Sequence, residues 1–203
     1  MFEQIEWLFF DVGSTLVDEG QANEQRLLDA IRNTNIPYNQ AYAQAVQLAK
    51  QKNAHPLKAL GLPLTPWHSE DEAVYPQAAN CLAELHKKYR IGIIANQNPG
   101  TADRMKAYGL LPMIDLIVAS AEEGVEKPDL KIFQIALKRA KCHPENAIMI
   151  GDRIDNDIVP AKQIGMMTIW IRQGFGGMAE NLTLEETPDY CVHDLQELAD
   201  FLN

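Results

Sequence analysis

Five short stretches of the chain are almost continuously apolar: Ile5–Phe10, Ile91–Ala95, Leu116–Ala119, Ala147–Ile150 and Met167–Ile171. A strand with one wet face alternates apolar and polar residues, whereas a strand covered on both faces does not. These runs therefore predict buried parallel strands, with Tyr190–Val192 as a candidate sixth. Between them the apolar spacing becomes helical, over Ala78–Lys88, Thr101–Tyr108, Pro128–Ala140, Asp157–Ile164 and Asp194–Leu202. Gly109 suits a helix C-cap and Pro128 a first helical turn. Strands alternating with helices predict an α/β fold: a doubly wound parallel sheet of five to six strands flanked by helices.

Residues 17–77 break this rhythm. Ala22–Arg32 and Gln40–Lys52 carry helical patterns, His55–Trp67 is rich in proline and turns, and no convincing strand stands out. The stretch reads as a small helical cap, residues 17–77, inserted into a core domain of residues 1–16 and 78–203. It leaves just after the carboxyl end of the first strand, the edge at which open α/β sheets bind ligands.

Composition narrows the function classes. Apolar residues make up 46% and charged residues 23%, an ordinary globular balance. The formal net charge of −10 gives no basic footprint for a nucleic acid. Cys81, Cys142 and Cys191 are odd in number and widely spaced, as free thiols of a reducing compartment are. The N-terminus lacks the basic and apolar regions of a signal peptide. No apolar run approaches the roughly 20 residues of a membrane helix. The expectation is a cytoplasmic protein with neither nucleic-acid nor membrane partners.

Four places carry chemistry. In Phe10-Asp11-Val12-Gly13-Ser14-Thr15 a carboxylate ends an apolar strand, placed to attack phosphorus or to ligate a hard cation. Gly13 and Ser14 let backbone amides approach an anion. Ala95-Asn96 closes the second strand, where Asn96 and the following amides are candidate holders of phosphate oxygens. Lys127 precedes Pro128 at a helix start, where the dipole disfavours a cation unless an anion is bound nearby. Finally, Gly151-Asp152-Arg153-Ile154-Asp155-Asn156-Asp157 packs three acids at a strand end. Such crowding asks for a compensating charge, and Mg²⁺ with its preference for oxygen ligands is the natural one. Arg153 pairs with one of these acids or faces a substrate anion.

In this order the four pieces resemble the four motifs of the haloacid dehalogenase (HAD) superfamily, and the resemblance covers most of the chain outside residues 17–77. It implies a Rossmann-like core with a cap of the C1 type. It implies a Mg²⁺-dependent hydrolase of a small phosphorylated molecule, acting through an aspartyl-phosphate at Asp11. Carried over residue by residue, Asp11 is the nucleophile and Lys127 its steadying charge. Asp11, Asp152, Asp157 and the carbonyl of Gly13 serve the metal. Ser14, Ala95, Asn96 and Arg153 serve the substrate.

Two positions depart from the pattern. Family phosphatases carry a second Asp at position 13, for proton transfer, and a Ser or Thr at position 95; here they are Gly13 and Ala95. General acid–base help is worth about 10²–10⁴-fold. Either the leaving group needs no acid, or a cap residue such as His55, His68, Glu70 or Asp71 supplies the proton, or the reaction differs. The alternatives are a dehalogenase, a phosphonatase using Lys50, Lys52 or Lys58 as a Schiff base, or a catalytically weakened module that binds a ligand or protein.

Overall fold

The computed structural model describes residues 2–52 and 56–203, so that His55 lies outside the described residues. Strand β1 (Trp7–Phe10) enters the ribbon strand β2 (Val17–Asp18), followed by helices α1 (Gly20–Ile31), α2 (Tyr38–Lys50) and α3 (Pro56–Ala59) and by β3 (Ala73–Val74). The chain then runs through α4 (Ala78–Leu85), β4 (Arg90–Ala95), α5 (Thr101–Ala107), β5 (Leu116–Ala119), α6 (Ser120–Glu123) and α7 (Leu130–Ala140). It closes with β6 (Ala147–Gly151), α8 (Val159–Ile164), β7 (Met167–Ile171), β8 (Tyr190–Val192) and α9 (Leu195–Leu202). Six strands form one sheet in the order β5-β4-β1-β6-β7-β8, with every pairing parallel.

The continuous apolar runs have a direct cause. Along β1, Leu8 and Phe10 join one buried cluster while Trp7 and Phe9 join another. Successive side chains of a strand point to opposite faces, and both faces are covered. Leu82 and Leu85 of α4 and Leu195 and Leu198 of α9 complete the first cluster. Ile132, Phe133 and Ala136 of α7 and Ala161 of α8 complete the second. Gly92 of β4 keeps a bare backbone for this packing, because a Cβ there would fall 2.5 Å from the Phe9 ring.

The insertion has its own small core of Leu27, Ala30, Ile31, Ala41 and Leu57. Its two ends are zipped together by β2 and β3, antiparallel, with Val17 opposite Val74 and Asp18 opposite Ala73. This ribbon corrects the expectation of a strand-free insertion; two-residue strands leave no periodicity to read. Two helix starts also move. Helix α7 begins at Leu130, because the Asp129 carboxylate accepts the Lys131 N–H and caps it there. Before α8, residues Ile154–Ile158 form one wide π-helical turn that carries Asp157.

Candidate active site

β1 lies at the centre of the sheet, and the chain leaves it for the insertion, so the crevice at its carboxyl end is the natural ligand site. Asp11 is held there by its own backbone, whose N–H donates to the Ile150 carbonyl at 2.9 Å and extends the β1–β6 ladder. The chain then turns tightly, with the Leu16 and Val17 N–H groups both donating to the Val12 carbonyl. Ser14 adopts a left-handed conformation with φ of 53°, uncommon for a residue with a side chain. The Gln173 amide secures this turn by donating to the carbonyls of Ser14 and Thr15.

Lys127 reaches the same place from the opposite side. The Asn96 side chain clamps its backbone, accepting the Lys127 N–H at 2.7 Å and donating to the Lys127 carbonyl at 2.9 Å. The Lys127–Pro128 peptide is cis. The ammonium then lies 2.7 Å from Asp11 Oδ1 and 2.6 Å from Asp157 Oδ1. Burial alone would pull the Lys127 pKa down; the carboxylates of Asp11 and Asp157 outweigh it and hold the pKa up.

Asp157 uses both oxygens, since its Oδ2 accepts the Arg153 N–H at 3.0 Å. Burial pushes its carboxyl up to about 6 even though Lys127 pulls the other way. Asp152 differs. It is 4% exposed, its carbonyl accepts the Trp170 indole N–H at 2.6 Å, and its carboxylate has no ion-pair or hydrogen-bond partner among the described residues. Burial first, then the charges of Asp157 and Asp11, drives its pKa well up.

Carboxylate oxygens of Asp11, Asp152 and Asp157 all lie within 4.8 Å of one another. Three buried acids thus stand around one lysine that pairs with two of them, an arrangement that is costly without a further positive charge. The donor set is all oxygen, which fits a hard divalent cation and not a soft one. Glycines make the crowding feasible: a Cβ on Gly151 would meet Asp157 Oδ2 at 2.3 Å, and one on Gly176 would meet Asp152 Oδ2 at 2.3 Å. Gly151→Ala is therefore expected to displace Asp157 and weaken whatever divalent-cation affinity the three acids have by about 10–100-fold, as the loss of a supporting contact does. Calorimetric titration with Mg²⁺ reads this, and an unchanged affinity would contradict it.

These groups line a cavity of about 440 Å³ whose walls come from both the core and the insertion. Asp11, Gly13, Ser14, Asn96, Lys127, Asp152, Arg153 and Asp157 all border it, so most of the residues picked from the sequence converge. Ala95 does not; it is fully buried in the core cluster of its sheet face. The Asn96 side chain is taken up by Lys127, which makes it a brace for the lysine. Arg153 forms a bidentate pair with Asp155 beside the cavity.

Several cavity residues lie outside the four motifs, Trp67 among them as an aromatic residue the sequence offered for a pocket wall. Trp67 faces in from the insertion, with the Arg26 guanidinium stacked 5.2 Å from its ring centre. Arg104 borders the cavity with Nε and one terminal nitrogen buried and unbonded. Glu19, the N-cap residue of α1, accepts the Ser14 hydroxyl proton at 3.1 Å. Burial, and then the Asp11 charge, push its carboxyl up to about 7. By contrast, the proton donors expected from the insertion stand elsewhere: His68 bonds Asp29, Glu70 is exposed, and Asp71 accepts from Gln21.

Comparison with known proteins agrees with this geometry. The HAD-hydrolase-like family matches residues 125–198, the part that holds Lys127, Asp152 and Asp157. The glyceraldehyde 3-phosphate phosphatase of Pyrococcus furiosus is 32% identical, covering 98% of this chain and 93% of its own. That of Methanocaldococcus jannaschii is 26% identical, covering 98% and 97%. Among solved structures, the magnesium-bound HAD-hydrolase YfnB of Bacillus subtilis superposes with a TM-score of 0.71 at 23% identity, over 99% of this chain and 100% of its own. Motif order, sheet topology and full-length likeness agree: the chain belongs to the HAD-like superfamily of hydrolases.

Proposed function

We propose that the protein is a Mg²⁺-dependent phosphatase of small phosphorylated molecules that works through an aspartyl-phosphate at Asp11. The observation that carries this reading is the buried group of Asp11, Lys127, Asp157 and the unpartnered Asp152 at the mouth of one cavity. The phosphatase names of the full-length relatives support the reaction class.

In this reading Asp11 attacks phosphorus with the oxygen that Lys127 does not hold. Lys127 holds the other Asp11 oxygen in place and faces the negative charge that spreads over the transferring oxygens. Asp11 and Asp152, with the Gly13 carbonyl, would hold Mg²⁺, and Asp157 fixes Lys127 and the loop before α8. When bound, Mg²⁺ neutralises phosphate oxygens and orients the group. The insertion, residues 17–77, acts as the cap: Trp67 and Arg26 roof the cavity and restrict it to small substrates. A cytoplasmic setting suits such a substrate, and among the described residues no helix is long and apolar enough to cross a membrane.

The Schiff-base alternative lacks a lysine in position. Lys50 and Lys52 pair with Glu180 and Glu186, and Lys58 borders an adjoining pocket but not the cavity that holds Asp11. The test is a panel of phosphate esters and acyl phosphates with Mg²⁺ and with EDTA. Turnover with Mg²⁺ that EDTA removes and Mg²⁺ restores is the expected result. Tight Mg²⁺ binding without turnover of any panel member would overturn the enzymatic reading in favour of a binding module.

A further inference from the structure

We infer that Glu19 is the proton-transfer residue of this site, protonating the leaving oxygen and afterwards deprotonating the attacking water. The inference rests on the phosphatase reading above and assigns the acid–base group that the motif around Asp11 lacks.

A Cβ built on Gly13 would lie 2.2 Å from Glu19 Oε1, 2.7 Å from its carboxyl carbon and 2.9 Å from Oε2. The Glu19 carboxyl thus fills the volume that any side chain at position 13 would enter, two residues after the nucleophile. It arrives from a different point of the chain, the first residue past the β2–β3 ribbon. That anchor is firm on both sides. The ribbon pairs Asp18 with Ala73, and the Glu19 carbonyl accepts the Asn23 N–H at 2.9 Å in the first turn of α1.

The carboxyl itself is oriented. Ser14 donates to Oε2, which leaves Oε1, the oxygen nearer Gly13, without a hydrogen bond among the described residues. No cation pairs with it among the described residues: Arg26 and Arg104 border the same cavity without bonding to it. The carboxyl is therefore held by a hydroxyl and by no cation, in the place a side chain at position 13 would take, and a positioned carboxyl within reach of the reacting groups is a common proton-transfer group. The bare Gly13 and the carboxyl over it are one arrangement, since an acid at position 13 and Glu19 in this pose exclude each other sterically.

The steps balance. As Asp11 bonds to phosphorus, the phosphorus–oxygen bond to the leaving group breaks. That oxygen keeps the electron pair and takes the proton of the Glu19 carboxyl. Glu19, now a carboxylate, accepts a proton from water as the water oxygen bonds to phosphorus. The phosphorus–Asp11 bond breaks, its electron pair returns to Asp11, phosphate departs, and Glu19 is again protonated.

The test compares wild type and Glu19→Gln on glyceraldehyde 3-phosphate, whose alkoxide leaving group needs a proton, and on acetyl phosphate, whose carboxylate leaving group does not. Borohydride reduction followed by peptide mass analysis reads the fraction of Asp11 held as phosphoenzyme. Glu19→Gln is expected to lose about 10²–10⁴-fold on glyceraldehyde 3-phosphate. With acetyl phosphate it is expected to form phosphoenzyme at nearly the wild-type rate and to accumulate it, because only its hydrolysis is slowed. Equal losses on both substrates without accumulation, or no loss on either, would overturn the assignment. A wild type that forms no phosphoenzyme at all would instead overturn the phosphatase reading beneath it.

Discussion

Asp11→Asn is expected to reduce turnover by roughly 10⁴-fold or more, the scale of removing a covalent nucleophile. The amide is a poor nucleophile toward phosphorus and also a weaker ligand for a hard cation. Folding should survive the change. Lys127 keeps Asp157 at 2.6 Å, so the ammonium is not left without a partner. Asp152 and Glu19, whose carboxyls Asp11 helps to push up, lose a repulsive neighbour. The lost ion pair and the relieved repulsion oppose each other, and the metal-free variant should melt close to the wild type. Steady-state kinetics with a thermal melt on the same preparation separates the two effects. Activity within tenfold of wild type would remove Asp11 from the chemistry.

Lys127→Met is expected to damage both stability and turnover. Lys127 is 3% exposed and pairs with Asp11 and Asp157. A methionine of similar length fills the space but leaves two buried carboxylates without their cation. Breaking a buried pair in this way costs about 3–5 kcal/mol, which corresponds to a fall of roughly 6–20 °C in melting temperature for a chain of this size. Mg²⁺ should recover part of that loss, because it supplies positive charge to the same acids. Turnover with saturating Mg²⁺ should still fall by about 10²–10³-fold, as for a lost preorganised donor in other hydrolases. An unchanged melt without Mg²⁺ would show that the acids share some other counter-charge.

The sheet was legible because parallel strands buried on both faces must be apolar at every position. Leu116–Ala119, Met167–Ile171 and Tyr190–Val192 fall where the pattern puts them. The first run extends too far, since Ile5 and Glu6 precede the ladder that begins at Trp7. Asp11, Lys127, Asp152 and Asp157 were legible because each sits at the carboxyl end of a strand or just before a helix, in recognisable motifs. What escaped depends on contacts between distant segments. Nothing around Asn96 announces that its amide clamps the backbone of Lys127. Helix α7 starts at Leu130 because Asp129, not Pro128, provides the cap. Glu19 is one acid among many in the sequence, and only its closeness to Gly13 in space distinguishes it. The absence at position 13 was visible; its compensation was not, because the replacing side chain comes from beyond the β2 turn.

The proposed function requires covalent phosphorylation of Asp11. Quenching the Mg²⁺-loaded enzyme during turnover of acetyl phosphate, reducing with borohydride and sequencing the peptides by mass spectrometry tests it most directly. Reduction converts an aspartyl-phosphate to homoserine, so homoserine at position 11 is the expected result, absent from Asp11→Asn. Sustained turnover with position 11 remaining aspartate throughout would contradict the account.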